Sequence, residues 1–424
     1  MNNGDYRACC HSEPGIPSDK NLAVPVNFIK DPVKEVWNNN YYRQLRLDLI
    51  NGVQNPTCSK CWQMESNGEF SFRQKSISNI SEERYNSFVD DAVKNNGALS
   101  TMPDKLLQIK IGNLCNLKCI MCNQASSSLI QKEVDDWKKH GEKLPTWLQW
   151  IDDWEIDWTG FDESTDLENL YQNLKDALLN VEELQFVGGE PLVNPMVPIL
   201  LENLINENAA DRIKIYFITN LTKLTDKMVN SLLQFKTVTI STSWDHVNPE
   251  KFRFIRYPAS YEQFRNNIDK LLANEKINPV VSFTVNIFNI FDIEQIIDEF
   301  EKISQTRNRY IINMQYVENP TYFSIRYLEP EQKKQVIDLI EKYLEKTKNY
   351  KVWLDNPSFY EMIKSIKQML ETPNVVDFRG KYILNDNNTS FDFVVKERTR
   401  VLQMYDKIRG TNYKTLFPFI KDYE

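Results

Sequence analysis

The sequence predicts an α/β protein built on parallel strands. Between residues 106 and 316, six short apolar segments with strand character alternate with longer segments of helical periodicity. Strand–helix alternation is the pattern of parallel β/α units. The flanks read differently. Residues 1–100 form a small unit that carries paired cysteines, residues 101–318 form the alternating core, and residues 319–424 form a helical C-terminal extension.

Taken in order, Asp31-Pro32 opens a helical run, VKEVWNNN, and a second helix, YYRQLRLDLI, ends at Gly52. Residues 80–100 are polar, helical in parts, and read as a linker. The expected strands are Leu106–Ile111, Leu184–Val187, Ile213–Thr219, Val238–Ser243, Val280–Asn286 and Tyr310–Tyr316. In the first, Leu107, Ile109 and Ile111 alternate with Gln108 and Lys110, the period of a strand. The helical stretches include SSSLIQKEVDDWKKH, NPMVPILLENLINEN, SYEQFRNNIDKLLANE and IEQIIDEFEKIS. Trp147, Trp150, Trp154 and Trp158 share one helical face in an insertion after the first strand. Packing is the preferred reading of that stripe, with covering a site or touching substrate as the other. Leu328-Glu329-Pro330 starts a further helix, and two more are expected near Tyr360–Leu370 and Val395–Ile408. DNNTS and the closing KTLFPFIKDYE read as loop and tail.

Hydrophobic residues make up 41% and charged residues 26% of the 424 positions, the balance of a soluble globular protein. No apolar run approaches the roughly 18 residues of a membrane span, and MNNGDYRACC lacks a basic-then-apolar leader pattern. A net charge of −8 argues against a mainly electrostatic nucleic-acid binder. The seven cysteines fall in groups: Cys9–Cys10, Cys58–Cys61, and Cys115, Cys119 and Cys122. That is metal-ligand grouping rather than a disulfide framework, and it implies a reducing cytoplasm.

The trio stands as C-x3-C-x2-C on the loop that leaves the first strand. Three thiolates there can hold three irons of a [4Fe–4S] cluster, which normally takes four cysteines. One iron is then left open, and open positions are where metals do chemistry. A zinc site would need a fourth ligand, and the nearest histidine, His140, is well outside the loop. Three buried core cysteines are the bland alternative, disfavoured by the spacing. Cys58 and Cys61 form a C-x2-C pair, which alone is ambiguous among zinc, redox dithiol and iron–sulfur roles. With Cys9 and Cys10 they give four thiolates, enough for a closed site.

The trio directly after a first strand resembles the radical S-adenosylmethionine (SAM) superfamily. The resemblance implies a partial (β/α)6 TIM-like barrel. It also implies that SAM binds the open iron and is cleaved by one electron to methionine and a 5′-deoxyadenosyl radical, which abstracts hydrogen from a substrate. Further motifs carry the likeness at the C-terminal strand ends, where such folds place function. Gly188-Gly189-Glu190-Pro191 resembles the motif that holds the methionyl amine, and Thr219-Asn220 resembles the turn near the adenosine. Ser243 and Asp245 resemble an S-x-D that meets the carboxylate or ribose, with His246 where relatives often have Gly. The same resemblance implies that Arg256 in the I-R-Y segment pairs with the SAM carboxylate and that Asn286 is a further SAM contact, and Met121 stands where the family has an aromatic or bulky apolar residue beside the adenine. Each has a plainer reading: a turn, a helix cap, a surface Arg or ordinary packing.

Residues 1–100 resemble a twitch domain, the shortened relative of the SPASM domain, which carries an auxiliary [4Fe–4S] cluster. The matching residues are Arg46, Gly52, Cys58, Cys61, Glu65, Gly68, Ser71 and Arg73. An N-terminal placement resembles a phage- and marine-bacterium-associated subgroup. Relatives have one more Cys ahead of the CC pair, and this chain begins too late to hold it. Either Cys9 and Cys10 both ligate, or one iron is open or has a non-cysteine ligand. Implied partners are an electron donor such as flavodoxin or ferredoxin and a substrate, with a peptide or protein first. A nucleotide, sugar or other small metabolite is the alternative. A non-catalytic iron–sulfur electron carrier or regulator is the alternative of another class. No acid–base residue is assigned.

Overall fold

The computed structural model describes residues 4–9, 12, 16–17, 19, 25–68, 70–102, 104–152, 167–306, 310–371 and 390–423. The first helices are α1 (Val33–Val36), α2 (Asn40–Ile50), α3 (Ser59–Ser66), α4 (Phe72–Ser78) and α5 (Glu82–Lys94). Strand β1 (Leu106–Lys110) follows, then α6 (Ser128–Lys139), α7 (Thr146–Asp152), α8 (Leu167–Leu178), β2 (Glu183–Val187) and α9 (Met196–Asn206). Next come β3 (Lys214–Thr219), α10 (Asp226–Leu232), β4 (Thr237–Ser243), α11 (Pro249–Ile255), α12 (Tyr261–Leu272), β5 (Ile277–Val285), α13 (Ile293–Thr306) and β6 (Ile311–Tyr316). The extension holds α14 (Pro330–Thr347), α15 (Lys351–Asp355), α16 (Pro357–Glu371), α17 (Phe391–Arg409) and α18 (Tyr413–Leu416).

Among the described residues the six strands form one sheet in sequence order, β1 to β6. Strands β4, β5 and β6 pair in parallel, with Ser243 opposite Ser282 and Val285 opposite Tyr316. A parallel sheet with flanking helices and a helical C-terminal extension is consistent with the expected partial barrel.

Three local expectations are corrected. The run VKEVWNNN breaks after Val36, because Asn39 accepts the Tyr42 amide and caps α2 instead. Strand β5 starts earlier than expected and runs through Pro279, which lies opposite Ile240. The closing segment is not a loose tail. Asn412 caps α18, and the buried Phe417 ring packs 5.3 Å from Phe254 and 5.0 Å from Phe288. A fully buried aromatic side chain contributes about 1.5–3 kcal/mol, enough to hold so short an end. The expected loop DNNTS lies outside the described residues except for Ser390, which caps α17.

The chain divides into two compact units. One comprises Met1–Gly112, Asp157–Gln185 and Pro195–Lys214; the other comprises Asn113–Ile156, Phe186–Asn194 and Ile215–Glu424. In the first, residues 80–100 are more than a linker. Helix α5 is capped by Ser81, and Arg84 pairs with Asp104 at 2.6 Å and Glu182 at 3.2 Å. Arg46 Nη1 donates to the Gly97 carbonyl at 2.9 Å, and Trp37 Nε1 to that of Thr101 at 2.8 Å. In the second unit, Trp244 is fully buried and meets Phe264 and Phe300 edge-on at 5.4 and 5.5 Å.

Candidate active site

The second unit begins where the sequence turns out of β1. Asn113 Nδ2 donates to the Gln124 carbonyl at 2.9 Å and closes the loop at its base. Ser127 Oγ donates to the Leu117 carbonyl at 2.6 Å, and the Cys115 amide donates to Ser128 Oγ at 3.2 Å. From the other side, the Lys118 amide donates to the Tyr257 carbonyl at 2.6 Å and the Ile120 amide to that of Ile255 at 3.0 Å. Leu117 and Ile120 are buried, so the apolar positions of NLKCIM anchor the loop. Cys115, Cys119 and Cys122 are half-buried free thiols.

Hydrogen-bond donors surround two of the sulfurs. Cys115 Sγ accepts from the Leu117 amide at 3.4 Å and from Asn220 Nδ2 at 3.9 Å, and Arg256 Nη1 lies 4.0 Å from Cys119 Sγ. Burial pushes all three thiols up, Cys122 to about 12, and Cys119 adds repulsion for both Cys115 and Cys122. Thiols that repel each other as thiolates need a cation to ionise together. The donor set therefore fits an iron–sulfur centre. Among the described residues, no three His, Cys, Asp or Glu side chains gather tightly enough for a single metal ion.

Gly188 and Gly189 follow β2. Gly188 has φ of +99°, a conformation that L residues other than Gly rarely hold. A Cβ on Gly189 would sit 2.3 Å from the Leu114 carbonyl oxygen, so the chain here touches the cysteine loop backbone to backbone. Gly189→Ala is expected to cost about 1–3 kcal/mol by overpacking. It should also weaken iron retention; urea unfolding and iron content per chain check both.

Glu190 is 1% exposed. Its carboxylate accepts from Thr219 Oγ1 at 2.5 Å, the Asn220 amide at 2.5 Å and the Leu192 amide at 3.0 Å. Burial pushes its carboxyl up while these donors pull it down. Glu190 thus joins the ends of β2 and β3 beside the cysteine loop. The turn after β3 takes φ of +53° at Leu221, and Asn220 Oδ1 accepts from the Thr222 amide at 2.9 Å. Asn220 Nδ2 donates to Asn116 Oδ1 at 3.0 Å, and Asn116 Nδ2 to Thr222 Oγ1 at 2.8 Å. Asn116 and Thr222 were not among the expected site residues. Asn116's position inside the C-x3-C spacing was the available signal; Thr222 had only its place in the turn.

Asp245 and Arg256, expected to face a ligand separately, face each other. Asp245 is fully buried, its Oδ2 2.6 Å from Arg256 Nη2, and its Oδ1 accepts from the Thr284 amide at 3.1 Å. Burial opposes the Arg256 charge, but Asp245 and Cys119 hold its pKa above the ordinary value. Asp245 Oδ2 and Arg256 Nε are buried without an aligned hydrogen bond, which suits a ligand with both an acceptor and a donor. Asn286 is spent on its own turn: Oδ1 accepts from the Phe288 amide at 2.9 Å and Nδ2 donates to the Thr284 carbonyl at 2.8 Å. That turn carries Asn289, whose Nδ2 donates to the Asp245 carbonyl at 3.0 Å. Met121, beside Cys122, and Ser243, at the end of β4, are both half-buried.

His246 is fully buried beside Asp245. Its Nδ1 accepts from the Asn248 amide at 3.0 Å, so Nε2 carries the proton toward Asp292 Oδ2 at 3.1 Å. Lys251 Nζ pairs with the same oxygen at 2.6 Å. Burial pushes the imidazole pKa down, more than Asp292 lifts it. A depressed folded value gives stability that is present above the unfolded value of ~6.5 and lost as pH falls through the folded one. Wild type is expected to lose stability as pH falls below about 6.5, and His246→Gln to lose less. Urea unfolding across that range checks the sign.

In the first unit, the second cysteine group is partly described. Cys9 is exposed, Cys58 half-buried and Cys61 buried, while Cys10 lies outside the described residues. Burial pushes the Cys58 thiol up, and Cys9 and Cys61 push it further. Glu65 is gripped by Arg73 at 2.7 Å and by Ser71 Oγ at 2.5 Å, and the Arg73 guanidinium lies 4.5 Å over the Trp62 ring. Arg46 lies 4.3 Å over the Trp37 ring. Gly52 and Gly68 take φ of +71° and +77°. Of the tryptophan stripe, Trp147 and Trp150 stack at 5.0 Å, while Trp154 and Trp158 lie outside the described residues.

Comparison with known proteins agrees with the cysteine loop. Residues 109–303 match the radical SAM superfamily, so the chain carries a radical SAM domain, a catalytic domain that supports an enzyme. GTP 3′,8-cyclase of Clostridium botulinum strain Hall is 24% identical over 213 residues, covering 50% of this chain and 55% of the relative. GTP 3′,8-cyclase of Chlorobaculum tepidum is 26% identical over 171 residues, 40% of this chain and 42% of the relative. The chain spans about half the length of the curated relatives it matches. Among solved structures, anSMEcpe with bound AdoMet is similar at 17% identity and a TM-score of 0.38, over 57% of this chain and 62% of that one. Streptococcus suis SuiB bound to precursor peptide SuiA is similar at 14% identity and a TM-score of 0.38, over 69% and 60%. Among the described residues, no helix is long and apolar enough to cross a membrane.

Proposed function

We propose that this chain is a radical SAM enzyme that acts on a peptide or protein substrate. The observation that carries the reading is the loop of Cys115, Cys119 and Cys122 within a radical SAM domain, stitched to the GGEP turn and to Arg256. Cys115, Cys119 and Cys122 would hold a [4Fe–4S] cluster, which would supply the electron for reductive cleavage of SAM. The chain's residues supply the rest. Glu190 offers its carboxylate to the methionyl amine, Asp245 and Arg256 offer an acceptor and a donor at the far side of the loop, and Thr219 and Asn220 shape the turn for the adenosine. Gly188 and Gly189 allow close backbone approach. Met121 and Ser243 stand as further SAM-site candidates around the same strand ends, while Asn286, spent on its own turn, would support them from behind.

The second proposed cofactor is an auxiliary [4Fe–4S] cluster on Cys9, Cys10, Cys58 and Cys61. Supporting it, Cys58 lies within charge range of both Cys9 and Cys61, and the Glu65–Ser71–Arg73 motif is closed beside them. Cys9, Cys10, Cys58 and Cys61 would hold this cluster, and it would supply an electron acceptor suited to peptide modification. An electron donor such as flavodoxin or ferredoxin, in a reducing cytoplasm, completes the scheme. A nucleotide substrate is the second reading, favoured by the GTP 3′,8-cyclase names of the curated relatives.

The test is anaerobic reconstitution, counting iron and sulfide, then adding dithionite and SAM. About eight irons per chain with 5′-deoxyadenosine formed supports two clusters and the radical reading. About four irons removes the auxiliary cluster. Full loading without cleavage, unrescued by candidate peptides or GTP, favours an electron carrier or regulator. Deuterium transfer from labelled peptide or from labelled GTP into 5′-deoxyadenosine separates the two substrate classes.

A further inference from the structure

Lys118 precedes Cys119 and, partly exposed itself, joins a buried ion pair that reaches the C-terminal extension. Its Nζ lies 2.6 Å from Glu133 Oε1. Arg409 grips the same carboxylate with both arms, Nη2 to Oε2 at 2.8 Å and Nε to Oε1 at 3.4 Å. The Arg409 and Glu133 side chains are only 2% and 7% exposed, although 276 residues separate them. Arg409 is the last residue of α17, where Gly410 ends the helix at φ of +62°. Its guanidinium lies 4.0 Å from the Tyr405 ring centre and 5.4 Å from that of Tyr257. Lys118 Nζ approaches the same Tyr257 ring at 5.6 Å, and the Tyr257 carbonyl takes the Lys118 amide at 2.6 Å. The cysteine loop, the segment after α11, helix α6 and the end of α17 thus meet at one carboxylate.

Two cations share one anion here, Arg409 buried and Lys118 partly exposed, which leaves one net positive charge beside the loop. We propose that Arg409 and Glu133 are positioning residues for the iron-binding loop, and that this residual charge makes a cluster held there easier to reduce. The inference rests on the proposed function. Reduction brings one electron from a low-potential donor onto the cluster and adds one negative charge. A fixed positive charge in a low-dielectric surrounding favours the reduced form, and charge and outer-shell contacts tune cluster potentials. A planar fork on a carboxylate fixes direction as well as charge, which a lysine would not reproduce.

The experiment uses the full chain, anaerobically loaded and free of SAM. Dithionite titration followed by electron paramagnetic resonance gives the midpoint potential, and iron loss to a chelator gives retention. Arg409→Met is expected to be about tenfold less reduced at a fixed potential, about 59 mV for one electron. Glu133→Gln is expected to shift the opposite way, because both cations then stand uncompensated. Arg409→Lys should keep the wild-type potential and lose iron faster. Circular dichroism verifies that each variant is folded. Variants that move in the same direction, or stay at the wild-type potential in a loaded protein, overturn this proposal alone. A wild-type chain that binds no iron removes the proposed function, and this inference with it.

Discussion

Cys119→Ala is expected to abolish SAM cleavage while leaving the protein folded. The Cys119 thiol is one of three on the loop and lies against Arg256 Nη1 at 4.0 Å. Its removal deletes a proposed cluster ligand but no backbone tie, because the loop is held by the amides and carbonyls of its neighbours. Iron per chain should fall by up to about four atoms, the content of one cluster, and 5′-deoxyadenosine should fall to background. The unfolding midpoint of the iron-free variant should stay close to that of the iron-free wild type. Wild-type cleavage by this variant would remove the loop from the chemistry.

Glu190→Ala has the largest expected effect on stability. It leaves Thr219 Oγ1 and the amides of Asn220 and Leu192 without their buried acceptor. Stranding buried donors, each worth roughly 1–3 kcal/mol, should cost about 3–5 kcal/mol in total, read from urea unfolding. Glu190→Gln separates structure from ligand binding. Its amide oxygen can still accept some of these bonds, so it should recover part of the stability. It offers no charge to an ammonium, so SAM affinity in the loaded protein should remain weak. Recovery of both together would leave Glu190 a purely structural residue.

What was legible in the sequence is what lies close along the chain. The alternation of Leu107, Ile109 and Ile111 marked β1, and three cysteines within eight residues marked the loop. The GGEP turn is a local motif for the same reason. The partners of these motifs were not legible. Arg256 and Asp245 were read as separate ligand contacts because their mutual 2.6 Å approach depends on how α11 returns to the end of β4. Asn116 and Thr222 are 106 residues apart, and nothing in either local motif pairs them. Arg409 and Glu133, whose side chains meet at 2.8 Å, are 276 residues apart. Side-chain pairings across the fold have no sequence period, so periodicity and spacing do not reveal them.

The loop's stitching has a consequence for how the protein would mature. Asn113, Ser127 and Ser128 fasten the loop on one side, and the carbonyls of Ile255 and Tyr257 fasten it on the other. Fixing a residue's backbone costs roughly 1–2 kcal/mol of entropy, and here that cost is met by the protein's own hydrogen bonds. Iron delivery would then meet a finished mould rather than a floppy strand. An apoprotein of this kind can persist and accept its metal late, unlike zinc fingers, which fold only as the metal arrives.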